Sequence, residues 1–238
     1  MNTLARLILL VTLAAACGAP AIRPAYKTDV DTRLAAQASR RELGPTSLEP
    51  RPWKVGQWAL YRTMDDGKLG YERWSIVGED ECGVWVETVT QDYYHRSITK
   101  ACYARMPWLP DSRGMIVADV IDLVQVMHTR SDDGETQTFD LRENPAMKQN
   151  MKMFASAFVS FQWANNDALP RQNVDVPAGR FSGAAAFPLT VTVFWKSITV
   201  TTLVHAEVPV YGVVRSTAST GRTSELVDFG DSGAVSML

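Results

Sequence analysis

Residues Gly83–Thr90 read GVWVETVT and residues Tyr94–Ala101 read YHRSITKA, with Gln91, Asp92 and Tyr93 between them. Apolar and polar side chains alternate along both runs, the period-2 pattern of half-buried strands, so the pair reads as an antiparallel hairpin. If Thr90 faces Tyr94, facing positions sum to 184 and Cys82 falls opposite Cys102. Directly opposed residues bring Cβ atoms to about 4.5–5.5 Å, close to what a disulfide requires. The spacing therefore predicts a Cys82–Cys102 disulfide; the alternative is a pair of free buried thiols.

Working outward, Val55–Thr63 (VGQWALYRT), the Asp65-Asp66-Gly67 turn and Gly70–Gly78 (GYERWSIVG) form a second hairpin just upstream. Four successive strands rich in Trp, Tyr and Val make a meander. Met115–Met127 reads in two ways: as a helix with Ile116, Val120, Leu123 and Met127 on one face, or ending as a strand that runs through Arg130 and pairs with Glu135–Leu141. Asn144–Leu169 carries the clearest helical period, because Met147, Met151, Phe154, Phe158 and Phe161 recur at three- and four-residue spacing behind an Asn144-Pro145 start. Strands then resume at Arg180–Phe187, Leu189–Ser197, Ile198–His205, Val210–Ser216 and Thr223–Phe229. The expected fold is α+β, a large antiparallel sheet with one or two helices packed on one face.

The other end of the chain differs in texture. Leu7–Pro20 reads LILLVTLAAACGAP: a single basic residue, Arg6, precedes ten residues that are apolar or small apart from Thr12. Crossing a bilayer takes about 20 apolar residues, so this run is the core of a signal peptide. Leu13-Ala14-Ala15-Ala16-Cys17-Gly18 resembles the bacterial lipobox, with Leu13 one place further back than the leucine of that motif; the resemblance implies a Cys17 acylated before cleavage. Cleavage after Ala16 without acylation, at the A-x-A pattern, is the alternative. Two or three acyl chains, at about 0.8 kcal/mol per buried CH₂, would hold the chain permanently on a membrane. Gly18 after the cysteine, by resemblance to enterobacterial sorting, points to the outer membrane.

Thr28–Leu43 reads as a short, mostly exposed helix, and prolines 20, 24, 45, 50 and 52 make its surroundings a spacer. The expected organisation is a signal peptide over 1–16, a lipid-anchored linker with a short helix over 17–52, and one β-rich domain over 53–238. Loss of residues 1–16 removes Arg6 and no acid, leaving 23 basic and 26 acidic residues and a net charge of −3. Such a balance supplies no basic field for nucleic acid. At 46% hydrophobic and 21% charged residues, the composition is that of an ordinary globular domain.

Val176-Pro177-Ala178-Gly179-Arg180-Phe181 leads into one strand and Glu207-Val208-Pro209-Val210-Tyr211-Gly212-Val213-Val214 into another, with Glu225-Leu226-Val227 closing. This order resembles periplasmic proteins of the LolA/LolB-like kind, in layout over roughly Trp53–Phe229 and in residues over these short stretches. The resemblance implies a curved, half-barrel-like sheet covered by helices, and an acyl chain or other apolar ligand between the two. The residues that would line such a site are Met147, Met151, Met153, Phe154, Phe158, Phe161 and Trp163 on the covering helix. Methionine's flexible thioether suits a pliable apolar face. The plainer reading is a core contact, with the stripe packed against Trp58, Trp74, Trp85 and Trp195.

Catalytic patterns fail on inspection. Gly230-Asp231-Ser232-Gly233 matches four residues of the chymotrypsin-like nucleophile segment, but Ala234 replaces the next glycine and no histidine stands in that family's setting. His95, His128 and His205 are scattered, and only His205 and Glu207 approach metal-ligand spacing, sharing a face if they lie on a strand. Asp65-Asp66-Gly67 and Ser131–Glu135 read as hairpin turns, not calcium loops. No cofactor, metal or catalytic residue is therefore expected. The sequence points to a non-enzymatic, outer-membrane-anchored periplasmic lipoprotein whose partners are the membrane and an apolar or lipid ligand. The alternative is an interaction module of an envelope complex, with an envelope protein as its partner.

Overall fold

The computed structural model describes residues 21–35, 40–46, 51–106, 121–149, 169–193 and 196–238. Helix α1 spans Pro24–Ala35. Short strand β1 (Arg41–Leu43) is followed by β2 (Trp58–Asp65), β3 (Lys68–Asp80), β4 (Gly83–Asp92) and β5 (Arg96–Tyr103). Strands β6 (Val124–Ser131), β7 (Gln137–Asp140), β8 (Arg171–Val176) and β9 (Gly179–Val193) come next. The chain closes with β10 (Lys196–Val204), β11 (Val213–Ala218) and β12 (Thr223–Gly230).

These twelve strands form one sheet in the order β1-β9-β10-β11-β12-β2-β3-β4-β5-β6-β7, with β8 paired to β9 off that path. Every pairing is antiparallel except β1 with β9. The expected large antiparallel sheet with few helices is present. Of the two readings of 115–127, the described part follows the second: residues 121–123 are helical, and from Val124 the chain is strand β6, paired with β7 from Thr129↔Gln137 to Val126↔Asp140.

Both faces of the sheet are covered over its middle. On the outer face α1 inserts the fully buried Val30 among Leu60, Tyr71, Val89, Ile98 and Val227. On the inner face the β8–β9 hairpin crosses β11 and β12, and Val174, Val176, Phe181 and Ala185 meet Tyr61, Val214, Leu226 and Phe229. The backbone locks this crossing, since Ala178 N–H donates to Leu226 O at 3.0 Å and Arg41 N–H to Ala178 O at 3.0 Å. A Cβ on Gly179 would lie 2.0 Å from Arg41 O, so only glycine permits β1 to approach β9.

Several expectations are corrected. The helix lies at 24–35, not 28–43, because Pro24 supplies a ready first helical residue and Arg41–Leu43 is drawn into parallel pairing with β9. The helix is anchored by Val30 and by Tyr93 and Tyr71, whose hydroxyls lie 2.8 Å from Asp31 Oδ1 and 3.0 Å from Asp29 Oδ2. The β4–β5 register pairs Thr90 with Ser97, not Tyr94. Asp92 Oδ1 accepts the N–H groups of Tyr94 and His95, which consumes residues 93–95 in the turn. Arg180–Phe187 and Leu189–Ser197 are not separate strands: β9 runs from Gly179 to Val193, straight through Pro188. Pro188 sits beyond the last β8 pair at Ala185, where that edge of β9 has no strand partner among the described residues and no donor is needed. Strand β8 was not expected at all, and residues 205–212, expected to begin a strand at Val210, form a loop.

Candidate functional site

Register assigns each inner-face side chain to a ladder running across β3, β4, β5, β6 and β7. One row is Ile76, Val86, Ala101, Met127 and Phe139. The next is Trp74, Thr88, Thr99, Thr129 and Gln137. The row after that is Glu72, Thr90, Ser97 and Ser131. The face thus passes from a hydrocarbon row, through a row of three threonines between Trp74 and Gln137, to a row of three hydroxyls beside Glu72, a distance of about 14 Å at two residues per row.

At the apolar end an aromatic group closes the face. Trp74 and Tyr211 meet edge-on with ring centroids 4.8 Å apart, Tyr61 lies 4.7 Å from Trp74, and Trp53 sits edge-on to both Tyr103 (5.5 Å) and Tyr211 (5.9 Å). Such pairs each add about 0.5–1.5 kcal/mol beyond burial. Their polar tips are occupied: Trp53 Nε1 donates to Val210 O at 2.8 Å, Trp74 Nε1 to Glu72 Oε1 at 2.7 Å, and the Tyr61 hydroxyl to Val213 O at 3.1 Å. Val210 holds this arrangement with φ of +66°, a left-handed conformation that a β-branched residue adopts only under constraint. Desolvation pushes the Tyr61 and Tyr211 phenols well above their ordinary range, with the Glu72 carboxylate a smaller contributor to both. Desolvation also raises the Glu72 carboxyl, against the opposing pull of the Trp74 hydrogen bond and the Arg222 charge. The cluster is therefore a close-packed, largely apolar wall.

The sequence-derived site residues fall in different places. Met147 packs with Tyr103, Met127 and Phe139 against Ala101, Val124 and Leu141, which puts it at the apolar end of the graded face. Its helix starts as expected: Asn144 Oδ1 accepts Met147 N–H at 3.0 Å, and residues 145–149 are helical. Met151, Phe154, Phe158 and Phe161 lie outside the described residues, as do Met153 and Trp163, the lipidation residue Cys17, and the signal peptide over 1–16. Of the tryptophans expected opposite the stripe, Trp74 faces inward, whereas Trp58 packs on the α1 side and Trp85 stacks on His128 (5.2 Å) beside Lys100. Trp195 is outside the described residues.

Cys82 and Cys102 form the disulfide, with Cα atoms 6.3 Å apart. Cys102 stands opposite Trp85, so the bond joins β5 to the turn before β4 diagonally and not as a facing pair. Asp80 lies beside the two sulfurs, but its carboxylate accepts Cys82 N–H at 2.9 Å and Trp85 Nε1–H at 2.8 Å. The three histidines do not converge. His205 is buried in the 205–212 loop, with Nε2 2.9 Å from Gly44 O and Nδ1 accepting Glu207 N–H at 3.3 Å. His205 and Glu207 are thus joined through the backbone and do not present a shared strand face. Ser232 gives its carbonyl to Trp58 Nε1 at 3.0 Å in the turn after β12.

Sequence reasoning missed Trp53, Tyr61, Glu72, Tyr103 and Tyr211 as a group. Alternation assigned Tyr61, Glu72 and Trp74 to strands, but only the β2–β3 and β3–β4 registers put them on one face. No family model matches the chain, and no curated protein matches it.

Proposed function

We propose that this chain is an exported, lipid-anchored domain on the periplasmic side of the outer membrane that holds an apolar or lipid ligand on the inner face of a half-barrel-like sheet, without catalysis. The observation that carries the reading is the unbroken apolar row Ile76-Val86-Ala101-Met127-Phe139, joined by Tyr103 and Met147. It supports a ligand because an adaptable methionine-bearing wall stands beside a rigid aromatic one. The Cys82–Cys102 disulfide supports export, since such bonds persist in oxidising compartments. The Leu7–Cys17 segment supports the anchor.

Native mass spectrometry of the chain from residue 18 onward, purified from a bacterial envelope, should show a retained lipid-sized adduct. Met127→Glu should abolish it by placing a carboxylate in the apolar row. A domain that is empty in every preparation would reject the ligand, and a Cys17 peptide without acyl mass would reject the anchor.

An interaction module is favoured by one observation: β7 and the far half of β9 each present an edge with no strand partner among the described residues. Such edges invite strand addition by another chain. Crosslinking from β7 to an envelope protein, lost when Thr138 is replaced by proline, would support that reading over the first.

A further inference from the structure

We propose that the ligand is an acyl amphiphile with a phosphate headgroup, its chain on the half-buried Met127–Phe139 end of the apolar row and its headgroup in the cleft at the opposite end of the same face, against Thr63, Thr90 and Ser97 and between Lys68 and Arg222. The proposal rests on the lipid-binding reading above and names the ligand's chemistry.

The cleft has a volume of about 450 Å³, ample for a glycerophosphate group. It lies where the third ladder row ends: Thr90 and Ser97 form its floor beside Glu72, and Thr63 of β2 completes the hydroxyl lining. A ligand lying across these rows would meet hydrocarbon, then hydroxyls, then charge. A purely apolar ligand would leave the Thr88, Thr99 and Thr129 hydroxyls facing hydrocarbon, which costs free energy for each unmet donor.

The headgroup's partners are the cations that no carboxylate of the cleft has taken. Asp92 Oδ1 accepts two backbone N–H groups, those of Tyr94 and His95. Asp132 Oδ1 accepts Arg96 N–H at 3.0 Å, and the same carboxylate pairs with Arg23 at 3.4 Å and His95 Nδ1 at 3.6 Å. Among the described residues neither Lys68 nor Arg222 takes part in an ion pair, Arg222 acting on the Glu72 carboxylate only at longer range, so both lip cations keep their N–H donors for a ligand. Hydroxyl donors flanked by a lysine and an arginine match phosphate oxygens.

The test is titration of the chain from residue 18 onward with three probes below their aggregation limits: oleoyl lysophosphatidate, monooleoylglycerol and inorganic phosphate. Lysophosphatidate should bind at least about tenfold more tightly than monooleoylglycerol. Lys68→Gln and Arg222→Gln, each with an unchanged near-ultraviolet spectrum, should each remove about tenfold from lysophosphatidate binding and leave monooleoylglycerol binding unaltered. Equal affinity for the two lipids, or equal losses for both in the variants, would overturn the headgroup assignment while leaving lipid binding in place. Failure of both lipids to bind would overturn the lipid-binding reading itself. Inorganic phosphate binding alone, with the same variant dependence, would make the cleft a free-anion site and overturn the amphiphile.

Discussion

Glu72 and His205 are displaced from ordinary titration by the same cause, loss of water, and in opposite directions. Burial raises the Glu72 carboxyl above 4.5, so the folded chain holds that proton more tightly than the unfolded chain. Its stabilising contribution is complete below 4.5 and is lost as pH climbs through the folded value. Burial lowers the His205 imidazole below 6.5, outweighing the Gly44 carbonyl, so its contribution is complete above 6.5 and is lost as pH falls through the folded value. Thermal midpoints measured from pH 4 to pH 8 should therefore change shape in two variants. Glu72→Gln keeps an acceptor for Trp74 Nε1 and should remove the decline on the alkaline side of pH 4.5; His205→Gln should remove the decline on the acid side of pH 6.5. Parallel curves for either variant and the parent would show that burial does not control that group. Neither displacement could be read from sequence, because a glutamate in a strand is ordinarily solvated and His205, noticed there only for its spacing from Glu207, meets the carbonyl of Gly44 from 161 positions away.

Two elements are fastened by bonds whose worth can be measured. The Cys82–Cys102 disulfide closes a loop with a sequence separation of 20, for which chain entropy gives about 3 kcal/mol. Replacing both cysteines with serine should lower unfolding free energy by about that amount in urea titrations, and a reducing agent should then have no further effect. Glu87 fastens the tail: Ser236 Oγ donates to its Oε2 at 2.7 Å, Met237 N–H to both oxygens at 3.0 Å and Leu238 N–H to Oε2 at 3.3 Å. Deleting Ser236–Leu238 removes these donors and should cost about 1–3 kcal/mol, whereas the same deletion in a Glu87→Gln background should cost measurably less. Equal losses in the two backgrounds would sink the clamp. At this scale much was legible. The β2–β3 hairpin followed from Asp66-Gly67, whose φ values of 47° and 74° are those of the expected tight turn. The disulfide also followed, although its register argument was off by three residues because Asp92 lengthens the turn. The elements that were missed or misplaced, β1 and β8, are short and polar outside a few positions, and they exist through pairing with β9 instead of through their own propensity.

Across the whole molecule, burial on two faces separates the strands into two populations. Strands β12, β2, β3 and β4 carry α1 on the outer face, while the β8–β9 hairpin, Trp53 and the 205–212 loop cover the inner one. Tyr61, Tyr71, Ile76 and Leu226 are accordingly inaccessible. Strand β7 has only four residues and pairs on one side alone among the described residues. An α+β class with a large antiparallel sheet could be read from alternation, but this layering could not, since alternation states that a strand has two faces without saying what covers each. Local opening costs least where few apolar contacts must be broken. Amide exchange should therefore be slowest at Tyr61, Tyr71, Ile76 and Leu226, and at least about a hundredfold faster in β7, a gap of about 2.7 kcal/mol in opening free energy. Because β6 pairs β5 with β7 and contributes Met127 to the apolar row, a bound acyl chain should slow exchange most in β5, β6 and β7 and leave β12, which supplies no residue to that row, unchanged. Protection gained instead in β10 and β11 would move the ligand to the other half of the sheet and away from the graded face.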